Sequence, residues 1–225
     1  IRNNCVVMLV DIKTNITDIF NLIKTYEPSF LIAPIDWLKN SKAGGLTILE
    51  NIYDYSICRT SYQKFPKMNR NLSVLLPTSG SMGSPKYVRL SHTNLKANVD
   101  SIINFLKIES KDRAVTTMPY SYSYMLSIIN THIDSGASIL VCDHSVTQKE
   151  FWEQFKNSNV TSLSIASESI ADLSGIEHFV SLENLYCQDN QIEDLDLSNN
   201  SALTFLWCYN NQLNSLNLRN GNNTN

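Results

Sequence analysis

Apolar positions over the first 160 residues alternate between short continuous runs and stretches in which they recur every three or four residues. Residues 6–10 form the first continuous run and read as a strand. Residues 14–27 follow with Ile16, Ile19, Phe20 and Ile23 on one helical face, and Pro28 stops that helix. Residues 30–34 are again a continuous run. A strand–helix–strand order predicts a parallel sheet covered by helices. Residues 46–50 and 53–59 read as a strand pair behind the turn Gly44-Gly45, and 73–77 as a short apolar strand that runs into a loop over 78–86. Ser91 can then cap a helix whose apolar face is Leu95, Val99, Ile102, Ile103 and Leu106. Residues 114–118 and 138–142 read as buried strands with a helix over 124–133 between them. Thr147 and Glu150 have capping-box spacing ahead of Phe151, Trp152 and Phe155.

Near residue 170 the periodicity changes. Leu182, Leu185, Cys187, Asn190, Ile192, Leu195 and Leu197 recur 21 residues later as Leu203, Leu206, Cys208, Asn211, Leu213, Leu216 and Leu218. Ile170, Leu173, Ile176 and Phe179 read as a leading turn before these two copies. The spacing L-x-x-L-x-C-x-x-N-x-L resembles a leucine-rich repeat of the internalin-like kind, each copy supplying a short strand and a return loop. On that reading Cys187 and Cys208 stack inward as small apolar residues, with a disulfide between neighbouring turns the alternative. Asn190 and Asn211 bond loop backbone as a ladder. The fold class expected is α/β, with layers over 1–163 followed by a short repeat solenoid over 164–225.

Charge divides the chain at the same place. The net charge of the 225 residues is −3, but residues 1–163 carry 17 basic and 13 acidic side chains, whereas 164–225 carry one basic residue, Arg219, and eight acidic ones. Totals of +4 and −7 imply two modules, the second acidic enough to present its strand surface to a protein partner. No apolar run approaches the ~18 residues of a membrane-spanning helix. Basic residues are scattered without interleaved aromatics, so neither a membrane nor a nucleic acid is an expected partner. Five separated cysteines, with no C-x-x-C pair, fit a reduced cytoplasmic chain. The sequence begins Ile1-Arg2-Asn3 without Met, and its true start is expected to lie upstream.

The loop over 78–86 carries the chemistry. Small hydroxyl residues and glycines let backbone N–H groups approach an anion, and a lysine adds a charge that reaches phosphate. Gly80, Gly83 and Lys86 do not have the spacing of a Walker A loop. Read alone, the segment is a Gly/Ser-rich turn between strand and helix. Thr78, Ser79, Gly80, Ser81, Gly83, Pro85 and Lys86 do match the pattern [ST]-S-G-[ST]-T-G-x-P-K, with Met82 where Thr is usual, and Leu90-Ser91-His92 continues it. This resembles the phosphate-binding loop of the adenylate-forming superfamily of acyl-CoA synthetases, luciferases and peptide-synthetase adenylation domains. Met118-Pro119-Tyr120-Ser121-Tyr122-Ser123-Tyr124, followed by Gly136-Ala137, is similar to that family's acyl-pocket segment. Tyr122 and Ser123 would then face the acyl group, with Met125 where Gly is common.

The resemblance implies an AMP-forming ligase. A carboxylate attacks the α-phosphate of ATP, held with Mg2+, to give an acyl-adenylate and pyrophosphate, and a thiol of coenzyme A or a carrier protein takes the acyl group. Thr78, Ser79, Gly80, Ser81, Gly83 and Lys86 would hold the nucleotide phosphates. Segments of the family that contact adenine, ribose and magnesium, and its C-terminal lysine domain, are not found in these 225 residues, so 1–163 reads as a truncated domain without an assigned catalytic residue. His92 reads as a solvated or capping residue, and His132, His144 and His178 lack partners at metal-ligand spacing. The alternatives are a leucine-rich-repeat interaction module and a non-functional hybrid of two gene fragments. Joining the modules at 163 is expected to leave sheet edges and apolar faces exposed and both parts marginally stable.

Overall fold

The computed structural model describes all residues except 1–4, 12, 42–44, 63–67, 79–85, 119, 143, 167, 168 and 222–225. It falls into two compact units, Ile1–Leu90 and Ser91–Asn225.

In the first unit β1 (Val7–Met8) pairs in parallel with β5 (Leu72–Pro77), whose other neighbour is β6 (Tyr87–Ser91). The helix α1 (Ile16–Tyr26) starts where Asn15 accepts the N–H of Asp18, and ends at Glu27 in the left-handed conformation. The strand β2 (Phe30–Pro34) occupies the predicted residues but not the predicted sheet. It runs antiparallel to β4 (Tyr55–Arg59), which forms a hairpin with β3 (Thr47–Ile52), so the order is β2-β4-β3. The β-α-β expectation fails because the tight turn at Tyr53-Asp54 brings β4 back alongside β3, and all five residues of β2 find partners on β4, from Phe30↔Arg59 to Pro34↔Tyr55. A short helix, α2 (Ile35–Ser41), follows Pro34 directly. No turn residue separates it from β2, which is why the sequence pattern concealed it.

The second unit opens as predicted. Ser91 caps α3 (His92–Leu106): its Oγ accepts the Asn94 N–H at 3.0 Å and the Asn94 side chain accepts the Ser91 N–H at 3.1 Å. β7 (Arg113–Thr116), α4 (Ser123–Asp134), β8 (Ser138–Leu140) and α5 (Lys149–Phe155) come next. The expected Thr147–Glu150 box is not formed. Gln148 is the N-cap of α5, its Oε1 accepts the Ser145 N–H at 2.8 Å, and the Thr147 hydroxyl bonds Ser145 instead.

The strand β9 (Ser162–Ser164), which straddles the composition boundary, and two short strands of the acidic segment, β10 (Asn184–Tyr186) and β12 (Phe205–Trp207), join β7 and β8 in one parallel sheet of order β12-β10-β9-β7-β8. Its register aligns Leu140, Val115, Leu163, Leu185 and Leu206 across all five strands. Two further strands, β11 (Asp194–Asp196) and β13 (Ser215–Asn217), pair in parallel on the return side. The pairs Asn184↔Phe205 and Asp194↔Ser215 are both offset by 21 residues. Asn190 Nδ2 donates to Ile165 O at 2.8 Å and its Oδ1 accepts the Ile170 N–H at 3.0 Å. Asn211 repeats this with Cys187 O at 2.9 Å and the Ile192 N–H at 3.0 Å.

One core spans the change in composition at 163/164. Val115, Val146, Phe151, Trp152, Phe155 and Val160 pack with Leu163, Ile176, Phe179, Leu182 and Leu185. Each such side chain contributes on the order of 1.5–3 kcal/mol of burial. The composition boundary therefore lies inside a strand. The edge that β9 was expected to expose is covered, because β10 supplies a leucine at the position facing Leu163 and satisfies the ladder.

Candidate functional site

The strand β5 is largely buried and ends at Pro77. At that point the Thr78 N–H donates to Lys86 O at 2.9 Å and the Thr78 hydroxyl donates to the same carbonyl at 3.2 Å. The two ends of the predicted phosphate loop are thereby tied together, and the side chain of Lys86 is exposed beside the junction. Ser79, Gly80, Ser81 and Gly83 lie outside the described residues. Tyr87, next along β6, packs edge-to-face on Tyr26 at 5.7 Å between ring centroids. Burial, reinforced by that neighbouring phenol, pushes its pKa above the usual tyrosine value.

The second predicted segment lies at the carboxyl end of β7. The Met118 N–H donates to Thr116 Oγ1 at 3.2 Å, Ser121 is buried, and Tyr122 is the N-cap of α4, half-exposed and without a side-chain cap bond. Ser123 begins the helix, and its carbonyl accepts the Ser127 hydroxyl at 3.1 Å. A cleft of about 240 Å³ opens here between Thr116, Met118, Tyr120, Met125 and the residues Leu140–Cys142. Met125, 3% exposed, forms part of its wall. Tyr122 and Ser123 do not line this cleft; Ser123 borders a larger cavity on the other side of α4. The walls contributed by Thr116, Thr117 and Val141 were invisible to motif reading, because they are ordinary strand-end residues that the parallel pairing of β7 and β8 brings together.

The remaining candidates are structural. His132 is buried, with Nδ1 on Ile128 O at 2.9 Å, and burial lowers its pKa against the opposing pull of that bond and of Asp112. Cys187 is fully buried and its pKa is pushed up to about 12 by burial; burial also raises that of Cys208. All five cysteines are free thiols, so the alternative disulfide between Cys187 and Cys208 is not formed. Among the described residues no group of three His, Cys, Asp or Glu side chains is placed to hold a metal ion, and no helix is long and apolar enough to cross a membrane.

Comparison with known proteins bears on this arrangement. The profile of the AMP-binding enzyme family matches residues 4–215. The oxalate–CoA ligase of Saccharomyces cerevisiae is 28% identical over 115 residues, covering 50% of this chain and 21% of the yeast protein. The D-alanine–D-alanyl carrier protein ligase of Listeria monocytogenes is 21% identical over 182 residues, 78% of this chain and 36% of that protein. The chain thus spans only a minor part of the length of these relatives. In fold it resembles a malonyl-CoA ligase solved with methylmalonyl-CoA and AMP bound, with a TM-score of 0.56 at 16% identity, over 81% of this chain and 40% of that one. The matched profile runs past residue 163, into the segment with the 21-residue period.

Proposed function

From the premise that this chain belongs to the AMP-binding enzyme family, we propose that it carries the nucleotide-phosphate end of an ATP-dependent carboxylate-activating ligase. The observation that carries the reading is the junction of Thr78 with Lys86, which ties off a hydroxyl- and glycine-rich loop between a buried strand and a strand that leads into a capped helix. In this reading Thr78, Ser79, Gly80, Ser81 and Gly83 offer backbone N–H and hydroxyl donors to ATP, and Lys86 offers its ammonium. ATP with Mg2+ supplies the adenylyl group for a carboxylic acid, and coenzyme A or a carrier-protein thiol accepts the acyl group. Tyr122 and Ser123, at the start of α4, meet the acyl group in this reading, on the side of the helix away from the cleft at Met125. The test is binding of a fluorescent ATP analogue alongside ATP–pyrophosphate exchange with a panel of carboxylic acids. Binding that weakens at least tenfold in Lys86→Ala and Gly83→Pro, with little exchange, is the expected result for a partial domain. Equal binding by both variants removes the loop assignment.

A second reading concerns residues 164–225 and is favoured by the 21-residue offset of both strand pairs and the paired Asn190 and Asn211 bonds. These residues form two leucine-rich repeats behind a leading turn, joined to a partial adenylating domain over 1–163, and their acidic strands face a protein partner. Retention of a basic protein by the full chain, lost when Asp194 and Asp196 are replaced by asparagine, is expected. No loss would leave the third alternative, a hybrid without binding function.

A further inference from the structure

The three-stranded antiparallel sheet of the first unit has a covered face and an open one. Ala33, Ser56 and Cys58 project from the covered face and are buried. Alternation along the strands places Phe30 and Ile32 of β2, Tyr55 and Ile57 of β4, and Ile52 of β3 together on the open face, where the register sets Ile32 beside Ile57 and Ile52 beside Tyr55. Phe30 is 50% exposed, Ile32 66%, and Ile52 and Tyr55 44% each. A half-solvated antiparallel sheet ordinarily turns its bulky apolar side chains inward and its polar ones to water. Here the small residues are inside and the branched and aromatic ones outside. Contiguous apolar surface of this kind marks an interaction site.

Charge and area say what fits it. Glu50 lies beside Ile57, and Arg59 lies beside Phe30 with its guanidinium carbon 5.8 Å from the ring centroid, so one anion and one cation border the apolar side chains and cancel. A strongly acidic or basic partner finds no complementary field there. At about 150–250 Å² per aromatic side chain, Phe30 and Tyr55 leave about 200 Å² open, and the three isoleucines with Arg59, Glu50 and Thr47 bring the face to roughly 600–700 Å². Two such faces together bury about 1,200–1,400 Å², which is what a specific interface needs. The partner must also match the twist. A second copy does, because two sheets of the same hand stack face to face with their strands about 30° apart and their side chains interdigitated.

We propose that two copies of this chain associate through this face, β2, β4 and β3 of one protomer stacking on the same strands of its partner. Two-fold symmetry makes the patch self-complementary. Ile57, in the middle row of the middle strand, lies at its centre, with Ile32 next to it, and Arg59 and Glu50 lie in the rim. The interface uses no residue assigned to nucleotide, acyl group or repeat partner.

The experiment measures the mass of the full chain by sedimentation equilibrium over concentrations from roughly 1 to 200 μM, which bracket the micromolar affinity expected of an interface this size. A monomer–dimer equilibrium is expected, with a melting temperature that rises with concentration. Ile32→Glu should weaken association at least about tenfold. Val180→Glu, at a residue 59% exposed in the second unit, should leave it unchanged. Intermolecular NOEs between the methyl groups of Ile32 and Ile57, in a mixture of differently labelled wild-type chains, test the location even if the glutamate variant does not fold. A chain that stays monomeric at the highest concentration, Ile32→Glu dimerising with wild-type affinity, equal weakening by Val180→Glu, or NOEs that join the face to other elements of its own protomer would each overturn the proposal.

Discussion

Replacing Asn190 by alanine isolates what the asparagine bonds contribute to the stacked turns. Asn190 is 7% exposed and its side chain serves both a donor and acceptors: it accepts from the Ile170 N–H and donates to the carbonyls of Ile165 and Cys187. In Asn190→Ala the Ile170 N–H loses its acceptor in a site water does not reach, since Ile170 itself is 3% exposed. At about 1–3 kcal/mol per orphaned buried group, one N–H and one carbonyl together cost about 3 kcal/mol after partial relaxation. Asn211 makes the equivalent bonds 21 residues on, but it is half-buried, and water can replace the lost side chain. Asn211→Ala should cost only about 1 kcal/mol. With 2–4 °C per kcal/mol for a chain of this size, the melting temperatures should fall by about 6–12 °C and about 2–4 °C respectively. Thermal unfolding followed by far-ultraviolet circular dichroism reads both. Equal shifts for the two variants, or a shift under about 2 °C for Asn190→Ala, would refute the argument from burial.

Three further outcomes are expected. Gly175 has φ +117°, and a Cβ there would lie 2.4 Å from Trp152 Cγ; Gly175→Ala should cost about 3 kcal/mol or more and shift tryptophan emission to the red, and an unchanged melting curve would contradict the packing. His132 has a folded pKa below its ordinary 6.5, so the unfolded chain binds more protons. Stability should be fully present above about pH 6.5 and decline as the pH falls toward the lowered folded value, a decline that His132→Gln should flatten in melts between pH 5 and 7.5. Ser91→Ala should lose about 1 kcal/mol and Ser91→Asp should restore most of it, measured by urea unfolding, because the cap on Asn94 needs only a side-chain oxygen.

How much of this was legible in the sequence depends on what kind of information each feature uses. The α3 cap was readable because Ser91 and Asn94 act locally, and the 21-residue offset because the same side chains recur. Strand partnership was not. Nothing in the apolar run over 30–34 distinguishes a parallel from an antiparallel neighbour, and that choice followed from the turn at Tyr53-Asp54 further along the chain. Residue types alone proposed Thr78 and Lys86 as the two ends of a phosphate loop; the structure shows that these two residues are hydrogen-bonded to each other. Apart from Ser123 and Tyr124, the lining of the cavity beneath α3 and α4 left no trace in any motif. It arises from two serines that a register places side by side with an asparagine and a tyrosine from a strand twenty-two positions away.

The meeting of β9 with β10 has a consequence for how such a chain can change. Ladder bonds are made by peptide groups, which are the same in every sequence, so β9 recognises its neighbour through alternation alone: leucine facing Leu163, polar residues on either side. A strand of any ancestry with that phase would be accepted. One extra residue within 162–164 would turn Leu163 toward the helices and send its serines into the core.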